Sequence, residues 1–236
     1  MRVIIMAGGA GRRLLPYTSV LPKPLMPVGE RPILDIVLRQ LKRYGFCRIT
    51  ISVGHLAELI MAFFDNGSRW GLDIDYAIED EPLGTMGPLS QIRGLTEPFI
   101  VMNGDLLTDV DYRDLYESHL KSDAVLTVAT YQKPVDISLG VLEVDQDSRV
   151  IGFREKPTLT FTVSMGIYVL SPSLLSVIPK GRHFGFDDLM YALLASKATI
   201  RSYRHTGLWL DIGRREDYDN ATEVFEKNRD RLLPEA

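Results

Sequence analysis

The sequence predicts an α/β fold, a three-layer α/β/α domain around a mostly parallel sheet with antiparallel additions. Three observations predict it. Short apolar, β-branched runs alternate with longer runs whose apolar residues recur at helical spacing, the rhythm of strand–helix–strand units covered on both faces. The opening run Val3 to Met6 is apolar at every position, as a strand buried on both faces is, and it stops abruptly at Gly8 and Gly9. The 236 residues are 45% hydrophobic and 25% charged, the balance of a globular chain with a sizeable core.

The elements follow in order. Pro16, Pro22, Pro24 and Pro27 keep residues 8–31 out of any helix interior, because proline lacks the amide donor and fixes its own φ. That stretch reads as a long loop. From Ile33 to Tyr44 apolar residues recur at Ile33, Ile36, Val37, Leu41 and Tyr44, with Gly45 where a helix C-terminus favours glycine, so a crossover helix is expected. Then come strand Arg48 to Val53, helix Leu56 to Phe64, strand Asp73 to Ile78, a short helix near Pro88 to Ile92, strand Phe99 to Met102, helix Tyr112 to Leu120 and strand Ala124 to Ala129. After that the rhythm changes. Leu139 to Val144 and Val150 to Phe153, split by Asp145-Gln146-Asp147-Ser148, read as a hairpin, and Phe161 to Leu170 as a further strand. These are the expected antiparallel additions, placed on one edge of the sheet. Helices at Pro172 to Val177, Asp187 to Ser196 and Arg214 to Arg229 close the chain.

Composition excludes several classes. Lys and Arg number 27 against 31 Asp and Glu, a formal net charge of -4, so nothing supports a surface that binds nucleic acid by releasing many counterions. The single cysteine, Cys47, builds neither a disulfide framework nor a thiolate metal site. The apolar stretch at the start, about six residues, is too short for a signal peptide, and no run reaches the roughly 18 apolar residues of a spanning helix. A cytoplasmic protein with no membrane partner is expected.

The most informative stretch is Gly8-Gly9-Ala10-Gly11-Arg12-Arg13, directly after the first strand. Glycines let a backbone approach an anion closely and aim amides at it, and the carboxyl ends of strands are where open α/β sheets bind ligands. A dinucleotide fingerprint fails here, because Gly9-Ala10-Gly11-Arg12-Arg13-Leu14 ends in Leu, and no Walker A match surrounds these glycines. What sets the loop apart is its cations: Arg12, Arg13 and Lys23, the last braced between Pro22 and Pro24. A planar guanidinium fork and a compact ammonium together suit a polyphosphate. A glycine turn with solvated surface cations is the plain alternative.

The stretch GGAGRRLLPYTSVLPKPLMPVGERPI closely resembles the signature of the sugar-1-phosphate nucleotidylyltransferases, and EDEPLGTMGPL, NGD, FREKP, GIYVL and WLDIG follow in that family's order. The resemblance runs from Val3 to about Tyr218 and is closest to the mannose-1-phosphate and heptose-1-phosphate guanylyltransferases. It implies a single Rossmann-like nucleotidyltransferase domain over 1–236, with a nucleotide-binding half at about 1–110 and a sugar-phosphate-binding half at about 111–236. It also implies the reaction: a sugar 1-phosphate attacks the α-phosphorus of a nucleoside triphosphate, giving an NDP-sugar and pyrophosphate. A phosphate monoester, with a second pKa of about 6, is already largely ionised at neutral pH, so this nucleophile needs positioning and charge neutralisation more than a base. That agrees with a chain whose 4 histidines lie outside every matching motif.

By resemblance, Arg13, Lys23 and Asp105 are catalytic. Ala7, Gly8, Gly9, Gly11, Arg12, Arg13, Glu79, Gly84, Thr85 and Asn103 bind the nucleotide. Gly140, Glu155, Lys156 and Ser164 bind the sugar phosphate, and Asp105 with Asp211 holds the Mg²⁺ cofactor. Two hard oxygen ligands, with phosphate and water completing an octahedron, is how magnesium is usually held. The base is read at Glu79, where thymidylyl and uridylyl relatives commonly carry Gln. A carboxylate offers acceptors only, and guanine presents adjacent N1–H and N2–H₂ donors, so GTP is favoured, with a mannose or heptose 1-phosphate as its partner substrate. Arg12 in place of Thr, Leu139 in place of Tyr and Ser164-Met165 in place of Asn-Ala depart from the pattern around the loop and sugar pocket. The resemblance stops soon after Tyr218, without the left-handed β-helix that longer relatives append, while a homodimer of catalytic domains is compatible with the sequence. The alternatives are a uridylyl- or thymidylyltransferase, a phosphocholine-type cytidylyltransferase, and a non-catalytic paralogue that senses nucleotide-sugars.

Overall fold

A computed structural model describes residues 1–233; residues 234–236 of the expected domain lie outside the described residues. The first strand, β1 (Arg2–Ala7), is the middle of the molecule. Its side chains alternate between two cores, Val3, Ile5 and Ala7 on one face and Ile4 on the other, which is why the run carries no polar position. The proline-rich stretch that follows is no featureless loop. It folds into three 3₁₀ turns, at Arg12–Leu14, Tyr17–Ser19 and Lys23–Leu25, and a ladder of β2 (Pro27–Val28) with β3 (Arg31–Pro32). Proline fits these pieces because its fixed φ suits a turn's first positions and its missing donor costs nothing there.

Helix α1 (Ile33–Arg43) ends as expected, with Gly45 at φ +83. Then come β4 (Arg48–Val53), α2 (Ala57–Phe64), β5 (Asp73–Ile78), β6 (Phe99–Asn103), β7 (Leu106–Thr108) and α3 (Tyr112–Leu120). The expected short helix near Pro88 is a 3₁₀ turn at Gly87–Ser90. In the second half lie β8 (Leu126–Asp136), β9 (Val141–Val144), β10 (Val150–Arg154) and β11 (Thr158–Leu170). After them come α4 (Phe186–Ala195), β12 (Ile200–His205), β13 (Trp209–Asp211), α5 (Arg215–Lys227) and α6 (Arg229–Leu232).

The seven-stranded sheet runs β12-β8-β11-β6-β1-β4-β5. Helices α1, α2 and α3 cover one face; α4 and the turns before it cover the other, so the three-layer reading holds. A third cluster, built on Ala221 and Phe225 of α5, backs the 3₁₀ turns and β7. The antiparallel members are placed differently from the expectation: the β9–β10 hairpin is a two-stranded sheet of its own. β11 pairs antiparallel with both β6 and β8 and lies inside the sheet, while the edge strand β12 is parallel to β8. Burial explains this: from Met165 to Leu170 every residue of β11 is buried, which suits an interior strand.

β8 also runs past Ala129 to Asp136. Its partner on one side, β12, stops at Tyr131, so Pro134 stands where the strand has a free edge and its missing N–H is harmless. The chain between Ala195 and α5 hides two strands. β12, Ile-Arg-Ser-Tyr-Arg-His with Arg201 and Arg204 exposed, shows no clean alternation, as suits an edge strand that must not pair with another chain. β13 is only 3 residues long and carries no periodicity to detect. The last expected helix breaks at Asn228, whose Nδ2 donates to Val224 O instead of the backbone continuing the helix.

Candidate active site

β1 and β6 are parallel neighbours, in register from Arg2↔Phe99 to Met6↔Asn103, so the glycines after β1 and the Asn103-Gly104-Asp105 turn after β6 emerge side by side. Between them opens a cleft of about 380 Å³. Its lining brings together Ala7, Gly8, Gly9, Gly11, Arg13 and Lys23 from the first segment. Later segments supply Glu79, Gly84, Thr85, Asn103 and Asp105, together with Pro24, Pro82 and Gly104, which the sequence reading passed over although they lie inside its motifs. Arg12 is exposed and outside this lining. At Gly8 a Cβ would stand 2.5 Å from Glu79 Oε1, and Gly9 has nothing within 4 Å of where its Cβ would be. The backbone there is bare, as a phosphate cradle requires.

Glu79 is pinned at the start of the loop after β5. Its Oε1 accepts from Ser52 Oγ at 2.7 Å and its Oε2 from Leu83 N at 3.2 Å. A carboxylate has about four lone-pair sites, so two stay free for a ligand's donors. The loop itself is clamped from far away: Phe184 N donates to Leu83 O, Met86 N and Gly87 N donate to Phe184 O, and Phe186 N donates to Thr85 Oγ1. Gly84 has φ +79, and a Cβ there would meet Phe184 O at 2.9 Å and His183 Nε2 at 3.0 Å. Neither Ser52 nor the 182–186 segment was singled out by sequence, because both act through contacts with no fixed spacing.

A short ladder makes the acidic pair. β13 pairs antiparallel with β7, Asp211 opposite Leu106, and Ile212 N donates to Asp105 O at 3.3 Å. Two carboxylates distant in sequence are thereby set beside each other. Lys23 Nζ forms an ion pair with Asp105 Oδ2, both side chains largely buried. Asp105 Oδ1 is buried with no hydrogen-bond partner. The lost hydration of its surroundings and the neighbouring Asp105 charge push the Asp211 carboxyl above its usual range, against the pull of Lys23 and Arg13. An orphaned buried oxygen beside a second carboxylate fits a small hard cation. Among the described residues no group of three or more His, Cys, Asp and Glu side chains gathers, so phosphate and water would have to complete its shell. Arg13 pairs with no carboxylate among the described residues, and its guanidinium faces the cleft free to take an anion.

The expected sugar-phosphate residues lie outside this lining, with Gly140, Glu155 and Lys156 at the base of the β9–β10 hairpin and Ser164 apart from them on β11. A Cβ on Gly140 would stand 2.6 Å from the Phe153 ring and 3.2 Å from Glu155 Oε2. Glu155 and Lys156 are exposed, with a 4.0 Å ion pair between them, and Lys156 has φ +41. Ser164, on β11, donates from Oγ to Tyr168 Oη at 3.2 Å and accepts from Gly166 N at 3.2 Å. Gly166, at φ +76, passes so close to the Asn103 amide that a Cβ would be 2.7 Å from it, which joins this strand to the cleft.

Comparison with known proteins shows the family and the fold. The model of the nucleotidyl transferase family matches residues 2–228. The chain is 31% identical over 238 residues to the UTP–glucose-1-phosphate uridylyltransferase of Synechocystis sp., covering 92% of this chain and 61% of that protein. It is 30% identical over 244 residues to the mannose-1-phosphate guanyltransferase of Yarrowia lipolytica, covering 100% and 67%. The crystal structure of HddC from Yersinia pseudotuberculosis complexed with GMP-PN superposes with a TM-score of 0.71 at 30% identity, covering 95% and 99% of the two chains. The chain thus spans between three fifths and about two thirds of the length of the curated relatives it matches.

Proposed function

The chain belongs to the nucleotidyl transferase family, and from that premise we propose that it transfers a nucleotidyl group from a nucleoside triphosphate, GTP by preference, to a sugar 1-phosphate of the mannose or heptose type, with Mg²⁺ as cofactor. The observation that carries the reading is the assembly of Lys23, Asp105 and Asp211 at the mouth of a bare glycine loop. In this reading the loop amides and Arg13 hold the triphosphate, where negative charge grows on the departing pyrophosphate. Stabilising that charge with fixed donors, and aligning the attacking phosphate with it, is most of what nucleotidyl transfer asks of a protein. Mg²⁺ held by Asp105 and Asp211 would neutralise phosphate oxygens. Lys23, fixed by its ion pair with Asp105, keeps a positive charge in the same place. Glu155 and Lys156 receive the sugar phosphate: the ammonium takes the phosphate, and the carboxylate accepts from sugar hydroxyls.

Glu79 favours guanine. With one lone pair on each oxygen spent on Ser52 and Leu83, the carboxylate is held rigidly and still presents acceptors for two adjacent donors. Uracil and thymine offer a single ring N–H between two carbonyls, which would face this carboxylate unfavourably. The similarity to a uridylyltransferase keeps UTP as the second reading. Pyrophosphate release with Mg²⁺, each of GTP, UTP, dTTP, CTP and ATP, and a set of sugar 1-phosphates tests both. Turnover fastest with GTP is expected. Faster turnover with UTP or dTTP overturns the base assignment, and tight nucleotide binding with no turnover on any sugar phosphate overturns the enzyme.

A further inference from the structure

A second concavity, of about 210 Å³, opens at the N-terminal end of α1 and shares no lining residue with the cleft. Its floor is Asp35, a buried carboxylate that accepts from Trp70 Nε1 at 2.5 Å, Arg39 Nε at 2.9 Å and Arg31 Nη1 at 3.2 Å. Each of these two guanidinium groups spends one of its five N–H donors on Asp35, which anchors it and leaves the other donors unused by that contact. A third guanidinium, Arg69, lies 5.1 Å over the Trp70 ring and forms no ion pair among the described residues. Three cations thus border a concavity whose carboxylates are Asp35 and the exposed Glu30, and the Phe63 ring, 39% exposed, forms an apolar side. Asp35 alone would be satisfied by one arginine and the indole. The arrangement of the remaining donors around an open space is what an anion finds useful.

We infer that Arg31, Arg39 and Arg69 form a binding site for a small phosphate-bearing ligand, separate from the nucleotide cleft. Guanidinium forks match phosphate oxygens in pairs, and a concavity of about 210 Å³ has room only for a compact ligand. The site and the cleft are built on neighbouring pieces of the chain. Arg31 lies in β3, whose two-residue ladder with β2 begins directly after the Lys23–Leu25 turn, and Ile33 N donates to Met26 O at 3.0 Å.

Trp70 sits in the floor of this site and is one of only 2 tryptophans, so its fluorescence reports occupancy. Inorganic phosphate titrated at constant ionic strength into the wild-type protein, Arg39→Gln, Arg69→Gln and Arg13→Ala separates this site from the cleft. The expected result is a saturable change in wild type and in Arg13→Ala, with at least tenfold weaker binding in the Arg39 and Arg69 variants. Arg69→Gln breaks no ion pair, so it keeps the test decisive if Arg39→Gln fails to fold. The inference is overturned by an absent or non-saturable change, by an unaltered titration in Arg69→Gln, or by a signal that disappears with Arg13→Ala.

Discussion

Arg13 and Lys23 have similar charge and different jobs. Lys23 is committed to Asp105, while Arg13 faces the cleft with no carboxylate of its own among the described residues. A donor waiting for charge that grows during reaction contributes more to the transition state than to the bound substrate. Arg13→Ala is therefore expected to lower kcat by about 10²–10³, the usual effect of removing one such donor, with a smaller change in KM. Steady-state kinetics in both substrates checks it, and an equal fall in nucleotide affinity with kcat intact would refute the transition-state role. At this scale the sequence was most legible where glycine and proline fix the backbone, as at Gly8, Gly11 and Lys23. It was silent on Ser52, whose hydroxyl looks like any strand residue until the fold brings Glu79 to it. It named both Arg12 and Arg13 as nucleotide ligands, and the 3₁₀ turn that holds them sets only Arg13 in the lining of the cleft.

The element that reads the nucleotide base in our proposal is a loop held by another loop. Residues 83–87 have few hydrogen bonds of their own and borrow their shape from Phe184 and Phe186. Gly84 is where the two segments touch most closely, at a φ that a side chain rarely adopts. Gly84→Ala is expected to cost about 1–3 kcal/mol through strain and the crowded Phe184 carbonyl, a fall in Tm of roughly 2–12 °C for a chain of this size. Gly9→Ala serves as the control. Nothing stands within 4 Å of its Cβ position, so its Tm should stay near wild type while nucleotide binding weakens. Thermal melts of the two variants decide it, and equal destabilisation would mean that the clamp carries no strain. Among the elements, those whose apolar residues keep a strand or helix period were foreseen to the residue, such as β4, β5 and α3. β7, β13 and β12 were missed, because strands of three residues or with charges on both faces carry no periodic signal.

At the scale of the whole molecule, the fold class followed from the alternation of elements, whereas the place of the one antiparallel strand did not. β11 reads as an apolar run in either direction, and direction is decided only by the connection that delivers it. The pairing of Asp105 with Asp211 sets a balance across the molecule. A carboxyl whose folded pKa is raised favours folding in acid and opposes it as pH rises through the aspartate range, so near neutrality the pair is a local burden that a bound cation relieves. A ligand at 100 times its Kd that binds only the folded protein adds about 2.7 kcal/mol. GTP with Mg²⁺ is thus expected to raise Tm by several degrees, EDTA to remove most of that gain, and Asp105→Asn to show little difference between the two conditions. Calorimetry of both proteins checks this, and a metal-independent gain in the wild type would remove Asp105 and Asp211 from the metal site.

The ladder of β7 with β13 has a further consequence for the order in which the protein becomes competent. β1, β4, β5 and β6 already bring the glycine loop, Lys23, Glu79 and Asp105 together in the first half of the chain. Asp211 and the Phe184 clamp are supplied only by segments translated much later. A nascent chain can therefore build the frame of the cleft early, but it holds half an acid pair and an unbraced loop until its last strand has left the ribosome. In our proposal, activity waits for the closing of that three-residue ladder.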